Sequence, residues 1–468
     1  MLSWFPLGIQ GVVFSSSETA GSTCRVYGIE PQFYDEEMIL PENNSYDSRR
    51  AIEQLPRSTI EALQLHKLNL LLERILPHNS FYETKLSQIN RPVQQLEQLD
   101  EFPFTFKNEL VGTEDSEGFA ANLTWPVERY TRMHRTSGTR GRPMVVLDTP
   151  EDWHWWMQAW DFVLDSAQLT ESDRVLMAFS FGPFIGFWSA FDAAVRRGAL
   201  VVPGGGMQTL ARLELMRTIG ATVVFCTPSY ALHMAEVARD NQIEVADLSV
   251  RAIVVAGEPG GSIPSIRDQI ESFWQAKVID HSGASEAGPW GYADPEGRGV
   301  YVNEFDYIPE FISIEDGSPA EDGEVSELVL TCLGRDGSPV IRYRTGDLVR
   351  PTWKDDQENR FVLLQGGVLG RTDDMMIIRG VNIFPSSIEQ ILRSFPEIIE
   401  YRMTAFKDGS MDQLRVEIED RLGQPERVAE ELKLRLGLRV DVELVEVGAL
   451  PRFEAKGKRF VDQRRAGN

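Results

Sequence analysis

The middle of the chain constrains the fold most, because short apolar runs and helical periods alternate there. Residues 198–203 read as a strand, 204–207 as a turn, 209–218 as a helix, 221–226 as a strand, 229–239 as a helix and 250–256 as a strand. Strands separated by helices of this length stack as a sheet covered by helices, so the spacing predicts an α/β layer structure. In such sheets ligands sit beyond the strand ends, which draws attention to the polar turns that follow each apolar run.

The chain has 468 residues, enough for more than one core. Its formal charge of −24 disfavours nonspecific contact with nucleic acid or an anionic membrane, so an anionic ligand needs a local positive site. Cys24, Cys226 and Cys332 form neither a disulfide framework nor a ligand cluster, and a reducing cytoplasm is the simpler expectation. No apolar run reaches membrane-spanning length, and the start carries no basic segment ahead of its first hydrophobic residues. A helix is expected over residues 45–76, ended by Pro77. The tryptophans Trp153, Trp155, Trp156 and Trp160 fall in an expected helix over 152–164, where packing is favoured over a ligand box.

The most chemically loaded stretch is Thr136, Ser137, Gly138, Thr139, Arg140, Gly141, Arg142 and Pro143. Glycines let amides converge, hydroxyls add donors and guanidinium groups add charge, a composition that holds phosphate. It lacks the Walker spacing, and an ordinary turn stays open as the alternative. Phe179, Phe181, Phe184, Gly186 and Phe187 suggest apolar walls for an acyl group. Ala256, Gly257 and Glu258 follow a strand, as do His281, Ser282 and, further on, Glu286, which makes Glu258 a candidate nucleotide contact and Glu286 a candidate metal or catalytic residue. Asp347 sits in a polar turn where a carboxylate can accept two ribose hydroxyl bonds, and a solvated turn is the other reading. Arg371 and Asp373 occupy a segment with the composition of a hinge, and Lys456 and Lys458 lie in a basic tail that solvation alone would also explain.

In order, the segments TSGTRGRP, CTPSYALHMAE, AGEP, ASEAG, YRTGD, GRTDDMMIIRG and LPRFEAKGKR resemble those of the adenylate-forming acyl-CoA synthetases, in particular the phenylacetate–CoA ligase branch. The resemblance runs from about residue 46 to 464. It implies a large multilayer α/β N-terminal domain over 1–370 and a small mobile α+β lid over 371–468, hinged near Asp373. It further implies ATP held by Thr136, Ser137, Gly138, Thr139, Arg140 and Gly141, with adenine-side contacts at Ala256, Gly257, Glu258 and Ser282, ribose contact at Asp347 and nucleotide contact at Arg371. Mg²⁺ falls to Glu286, the acyl pocket to the Phe179–Phe187 segment, and adenylation to Lys456 rather than Lys458.

The activity so implied joins a carboxylic acid, aryl or arylacetic, to AMP and then to coenzyme A. Transfer to an amine or a carrier protein stays open, as does a catalytically degenerate homologue used for binding, and a homodimer is one assembly available to it. No nucleic acid or membrane partner is expected. Two departures from the family stand out: Arg140 and Arg142 change the phosphate loop, and Ser282 replaces a tyrosine that stacks on adenine, leaving His281 or Tyr292 as substitutes.

Overall fold

The computed structural model describes residues 44–112, 118–136, 143–179, 181–353, 358–372, 376–378, 381–408, 411–451 and 459–464, together with the strands Thr23–Arg25 and Ile39–Pro41. The chain divides into two compact units, residues 1–52 and 53–468. In the first, Thr23–Arg25 and Ile39–Pro41 pair antiparallel.

The helix expected over 45–76 is two helices, Tyr46–Glu53 and α1 (Arg57–Ile75). Pro56 causes the break: its ring keeps the preceding residue out of the helical region, and Pro56 then begins the next helix as its N-cap. One face of α1 buries Ile60, Leu63, Leu68, Leu71, Leu72 and Ile75.

Strands β1 (Arg132–Arg135) and β2 (Val145–Asp148) form an antiparallel hairpin that places Arg132 opposite Asp148. Helix α2 (Pro150–Ser166) starts at once, with Thr149 and Asp152 bonded reciprocally as a capping box. Its four tryptophans are all buried, as packing required.

A nine-stranded sheet forms the centre of the large domain. Strands β3 (Arg174–Met177), β4 (Leu200–Pro203), β5 (Val223–Cys226), β6 (Ala252–Val255) and β7 (Lys277–Ala284) are mutually parallel where they pair. They run in the order β7-β6-β5-β3-β4, and β5 and β6 are buried along their whole length, as strands covered on both faces must be. Beyond β7 the sheet turns antiparallel through β8 (Gly288–Ala293), β9 (Gly299–Val302), Leu363–Gln365 and Pro351–Thr352. Helix α3 (Pro228–Asp240) and the helices Thr209–Ile219 and Pro264–Trp274 pack on the parallel half through Leu213, Met234, Ile266 and Ile270.

A second, four-stranded antiparallel sheet joins β10 (Tyr307–Ser313), β11 (Ser326–Cys332), β12 (Tyr343–Val349) and β13 (Gly370–Arg371). The C-terminal domain has its own sheet, in which Ile398–Asp408 and Met411–Asp420 pair antiparallel between the parallel edge strands Phe460–Asp462 and Asp441–Leu444. Helices α4 (Pro385–Arg393) and α5 (Pro425–Leu436) supply Ile388, Leu392, Val428 and Leu432 to its core. Among the described residues no helix is long and apolar enough to cross a membrane.

Candidate active site

A cavity of about 290 Å³ opens where β6 and β7 end, the location that α/β sheets offer to ligands. Gly257, Glu258, Asp280, Ser282, Asp347 and Arg371 line it from the large domain, and Ser386, Glu389 and Arg459 line it from the C-terminal domain. Five of the candidates read from sequence therefore meet around one space, although they are spread over more than a hundred residues of chain.

Asp347 and Arg371 meet because β12 and β13 pair directly at those two residues. Arg371 Nη1 donates to Asp347 Oδ1 at 2.9 Å, and Thr345 Oγ1 accepts from the Asp347 amide at 3.0 Å. Glu258 Oε1 accepts from the Ser229 amide at 2.8 Å, so this carboxylate also satisfies an open donor in the first turn of α3. Ala256 does not appear in the cavity lining, whereas Gly257 does, with φ of +91°. Asp280 hydrogen bonds to Ser262 Oγ at 2.5 Å; burial pushes its carboxyl up to about 6, against the lowering effect of that bond.

Glu286 stands on the short turn between β7 and β8, two residues beyond the lining residue Ala284. Its Oε1 accepts from Lys107 Nζ at 2.7 Å and from the Tyr343 hydroxyl at 2.8 Å. Burial would raise this carboxyl, but the Lys107 charge and the two bonds outweigh it and hold the group below its ordinary value. Lys107 was not legible as a site residue, since it precedes Glu286 by 179 positions in a short helix, Lys107–Leu110, that carries no motif.

The substitutes foreseen for adenine stacking are otherwise engaged. Although His281 borders the cavity, its Nδ1 donates to the Gly291 carbonyl at 2.7 Å and its ring lies 4.3 Å from that of Trp160. Burial lowers its pKa to about 4, so it is neutral near pH 7. Tyr292 is buried away from the cavity and donates to Glu53 Oε1 at 2.6 Å. Besides His281, the aromatic rings in the lining are Trp290 and Phe460.

Thr136 is buried, with Oγ1 accepting from the Met144 amide at 3.0 Å. Ser137, Gly138, Thr139, Arg140, Gly141 and Arg142, and likewise Asp373, Lys456 and Lys458, lie outside the described residues. The phenylalanines pack on one another: Phe179 stacks on Phe187 at 4.2 Å, Phe181 meets Trp188 edge-on, and Phe184 is exposed. Neither they nor Gly186 line the cavity around Asp347.

The chain is similar in sequence and in fold to known proteins. The family described as AMP-binding enzyme matches residues 85–330, and its C-terminal domain matches residues 380–464. The phenylacetate-coenzyme A ligase of Thermus thermophilus is 31% identical over 445 residues, covering 88% of this chain and 99% of that protein. A 2-hydroxyisobutyryl-CoA ligase in its postadenylation state, bound to 2-HIB-AMP, superposes with a TM-score of 0.83 at 25% identity, covering 90% of this chain and 94% of that one. The same ligase in its thioesterification state, with 2-HIB-AMP and CoA, gives a TM-score of 0.67 at 26% identity over 90% and 94% of the two chains.

The chain belongs to the AMP-binding, adenylate-forming enzymes. Within them it is a carboxylate–CoA ligase of the AMP-forming kind, which uses ATP to activate an acid as its acyl-adenylate and passes the acyl group to CoA.

Proposed function

We propose that the acid is an aryl or arylacetic acid and that the cavity described above is where it is adenylated. The observation that carries this reading is the convergence of Asp347, Arg371, Ser282 and the strand leading to Glu286 on one space closed by both domains. Support for an aromatic acid comes from the buried Trp290 in the lining and from the phenylacetate relative at 31% identity. Asp347 accepts the ribose hydroxyls, Arg371 contacts the nucleotide, and Thr136 to Gly141 cradle the phosphates.

Glu286 is the Mg²⁺ ligand in this reading. Among the described residues no three acidic, histidine or cysteine side chains gather as a metal cage. A single ionised carboxylate nonetheless suits Mg²⁺, which keeps several waters and is shared with substrate phosphates. When bound, the ion neutralises charge developing on the phosphate oxygens. Lys107 and Tyr343 keep Glu286 ionised and oriented, and Lys456 adds positive charge at the α-phosphate, where electrostatic stabilisation lowers the barrier to carboxylate attack. No side chain need act as a nucleophile, because the acid itself attacks.

The lid begins at residue 371 and turns about Asp373. Two states of one relative that match this chain at 0.83 and 0.67 support a domain rearrangement between the half-reactions. A reducing cytoplasm suits the free, buried Cys226 and Cys332. The test is a panel of phenylacetate, benzoate and aliphatic acids with ATP, Mg²⁺ and CoA, read by AMP release and acyl-CoA mass. Selective conversion of the aromatic acids is expected. Exclusive use of aliphatic acids would remove the substrate assignment, and AMP without acyl-CoA would point to another acceptor.

A further inference from the structure

The three carbonyls of the Glu286 turn are all held by side chains from elsewhere in the fold. Ala287 O accepts from the Tyr307 hydroxyl at 3.2 Å and from Cys332 Sγ at 2.8 Å. Ser285 O and Glu286 O both accept from one guanidinium nitrogen, Nη1 of Arg335, at 3.0 and 2.7 Å. The turn closes at Gly288, whose φ of +112° and lack of a side chain are both required, since a Cβ there would collide with the Tyr307 hydroxyl and the Trp155 ring.

Arg335 is fully buried, and its other edge faces a second element. Nε donates to Asp148 Oδ1 at 2.8 Å, and Nη2 lies 2.6 Å from the same oxygen. Asp148, also fully buried, ends β2 and takes a further bond from Trp156 Nε1 at 3.1 Å. Next to it, Ser338 Oγ donates to Leu147 O at 2.6 Å and the Gly337 amide to Asp152 Oδ1 at 3.0 Å. One planar side chain thus joins the base of the β1–β2 hairpin to the backbone of Glu286. A buried ion pair adds little net stability over an apolar core, so stability alone does not account for a guanidinium spent on two carbonyls of a turn.

We propose that Arg335 is a positioning residue for adenylation: it fixes the Glu286 carboxylate relative to the hairpin whose other end carries the hydroxyl- and glycine-rich loop. The proposal rests on the reading of Glu286 as the Mg²⁺ ligand. Arg335 touches neither substrate nor ion and acts only through the backbone it holds. Partners that orient a metal ligand typically matter about 10-fold to 100-fold in metal affinity.

The test uses the full chain and measures binding of a nonhydrolysable ATP analogue by calorimetry across a Mg²⁺ titration, for wild type, Arg335→Lys, Glu286→Gln and the double variant. Lysine keeps a cation beside Asp148 but lacks the fork that reaches both partners at once. Arg335→Lys should raise the Mg²⁺ midpoint by about tenfold and slow adenylation, while CoA transfer from supplied acyl-adenylate changes little. In the Glu286→Gln background the same change should add nothing. A lowered melting temperature with an unmoved midpoint, or an equal shift in both backgrounds, overturns the proposal and leaves Glu286 as assigned. An unmoved midpoint in Glu286→Gln itself removes the Glu286 reading and the proposal with it. Should Arg335→Lys not fold, Asp148→Asn with Arg335→Gln removes both buried charges together and is read in the same way.

Discussion

Two glutamates in the two domains of this enzyme are tuned in opposite directions. Glu286, on the large domain, is held below its ordinary value because Lys107 and Tyr343 overcome its burial. Glu389, on the C-terminal domain, is held above its ordinary value by burial, opposed by Arg393 and reinforced by the negative charge of Glu258 across the cavity. It accepts from the Tyr401 hydroxyl, and beside it Arg459 bonds Glu400 through Nε at 2.7 Å and Nη2 at 3.0 Å. Glu286 thus stands on a turn, just beyond the large-domain wall, whose carbonyls are bonded from three directions. The opposing wall rests on ionic groups balanced among themselves, with Gln269 Nε2 reaching the Arg393 carbonyl at 2.8 Å from the large domain.

The contrast can be broken most strongly at Asp347. Asp347→Ala removes a carboxylate expected to hold two ribose hydroxyls and should weaken ATP binding by about 10²-fold, since hydrogen bonds to charged groups contribute about 1.5–3 kcal/mol each. Calorimetry on the folded variant checks this, and unchanged affinity would return Asp347 to an ordinary turn. Lys107→Met should act more mildly and with a pH signature. Without that charge burial dominates, Glu286 takes up a proton at higher pH, and the acid limb of kcat/KM for ATP moves to higher pH. A profile that keeps its acid limb would show that the pair does not set the ionisation of Glu286.

A further effect concerns stability and not ATP use. His281 has a folded value of about 4 against an ordinary 6.5, so between those limits the unfolded chain binds a proton that the folded chain refuses. Its stabilising contribution is complete above 6.5 and is lost as pH falls towards 4, at about 1.4 kcal/mol per unit and about 3 kcal/mol in all. Asp280, raised to about 6, works in the opposite sense, which is why the comparison must be with His281→Gln and not with the absolute curve. Chemical denaturation of both proteins from pH 7 to 4 should show this slope in the wild type minus variant difference; parallel curves would contradict it.

What the sequence made legible was local. The alternation over residues 198–256 became β4, β5 and β6 with their helices, and the polar strand exits at Glu258 and Ser282 do border the cavity. What stayed hidden depends on pairs distant along the chain. Lys107 and Arg335 lie in segments with no periodicity or motif of their own, and their meaning comes from Glu286 and Asp148, brought alongside by two different sheets. The phenylalanine-rich segment shows the converse: its composition announces apolar walls, yet Phe179 and Phe187 satisfy one another by stacking, and only tertiary packing decides which rings face a ligand. Pro56 was visible throughout, and its restriction on the preceding residue was enough to divide the first helix.

The central claim is that both walls serve adenylation. It is tested most directly by separating the half-reactions in Glu286→Gln and Lys456→Ala, one change in each domain. Acid with ATP and Mg²⁺ measures adenylate formation, and supplied acyl-adenylate with CoA measures thioester formation. The expected result is that each variant slows the first reaction by at least about tenfold more than the second, because the charge each group stabilises develops only during attack on the α-phosphate. Equal losses in both reactions, or none in either, would contradict it.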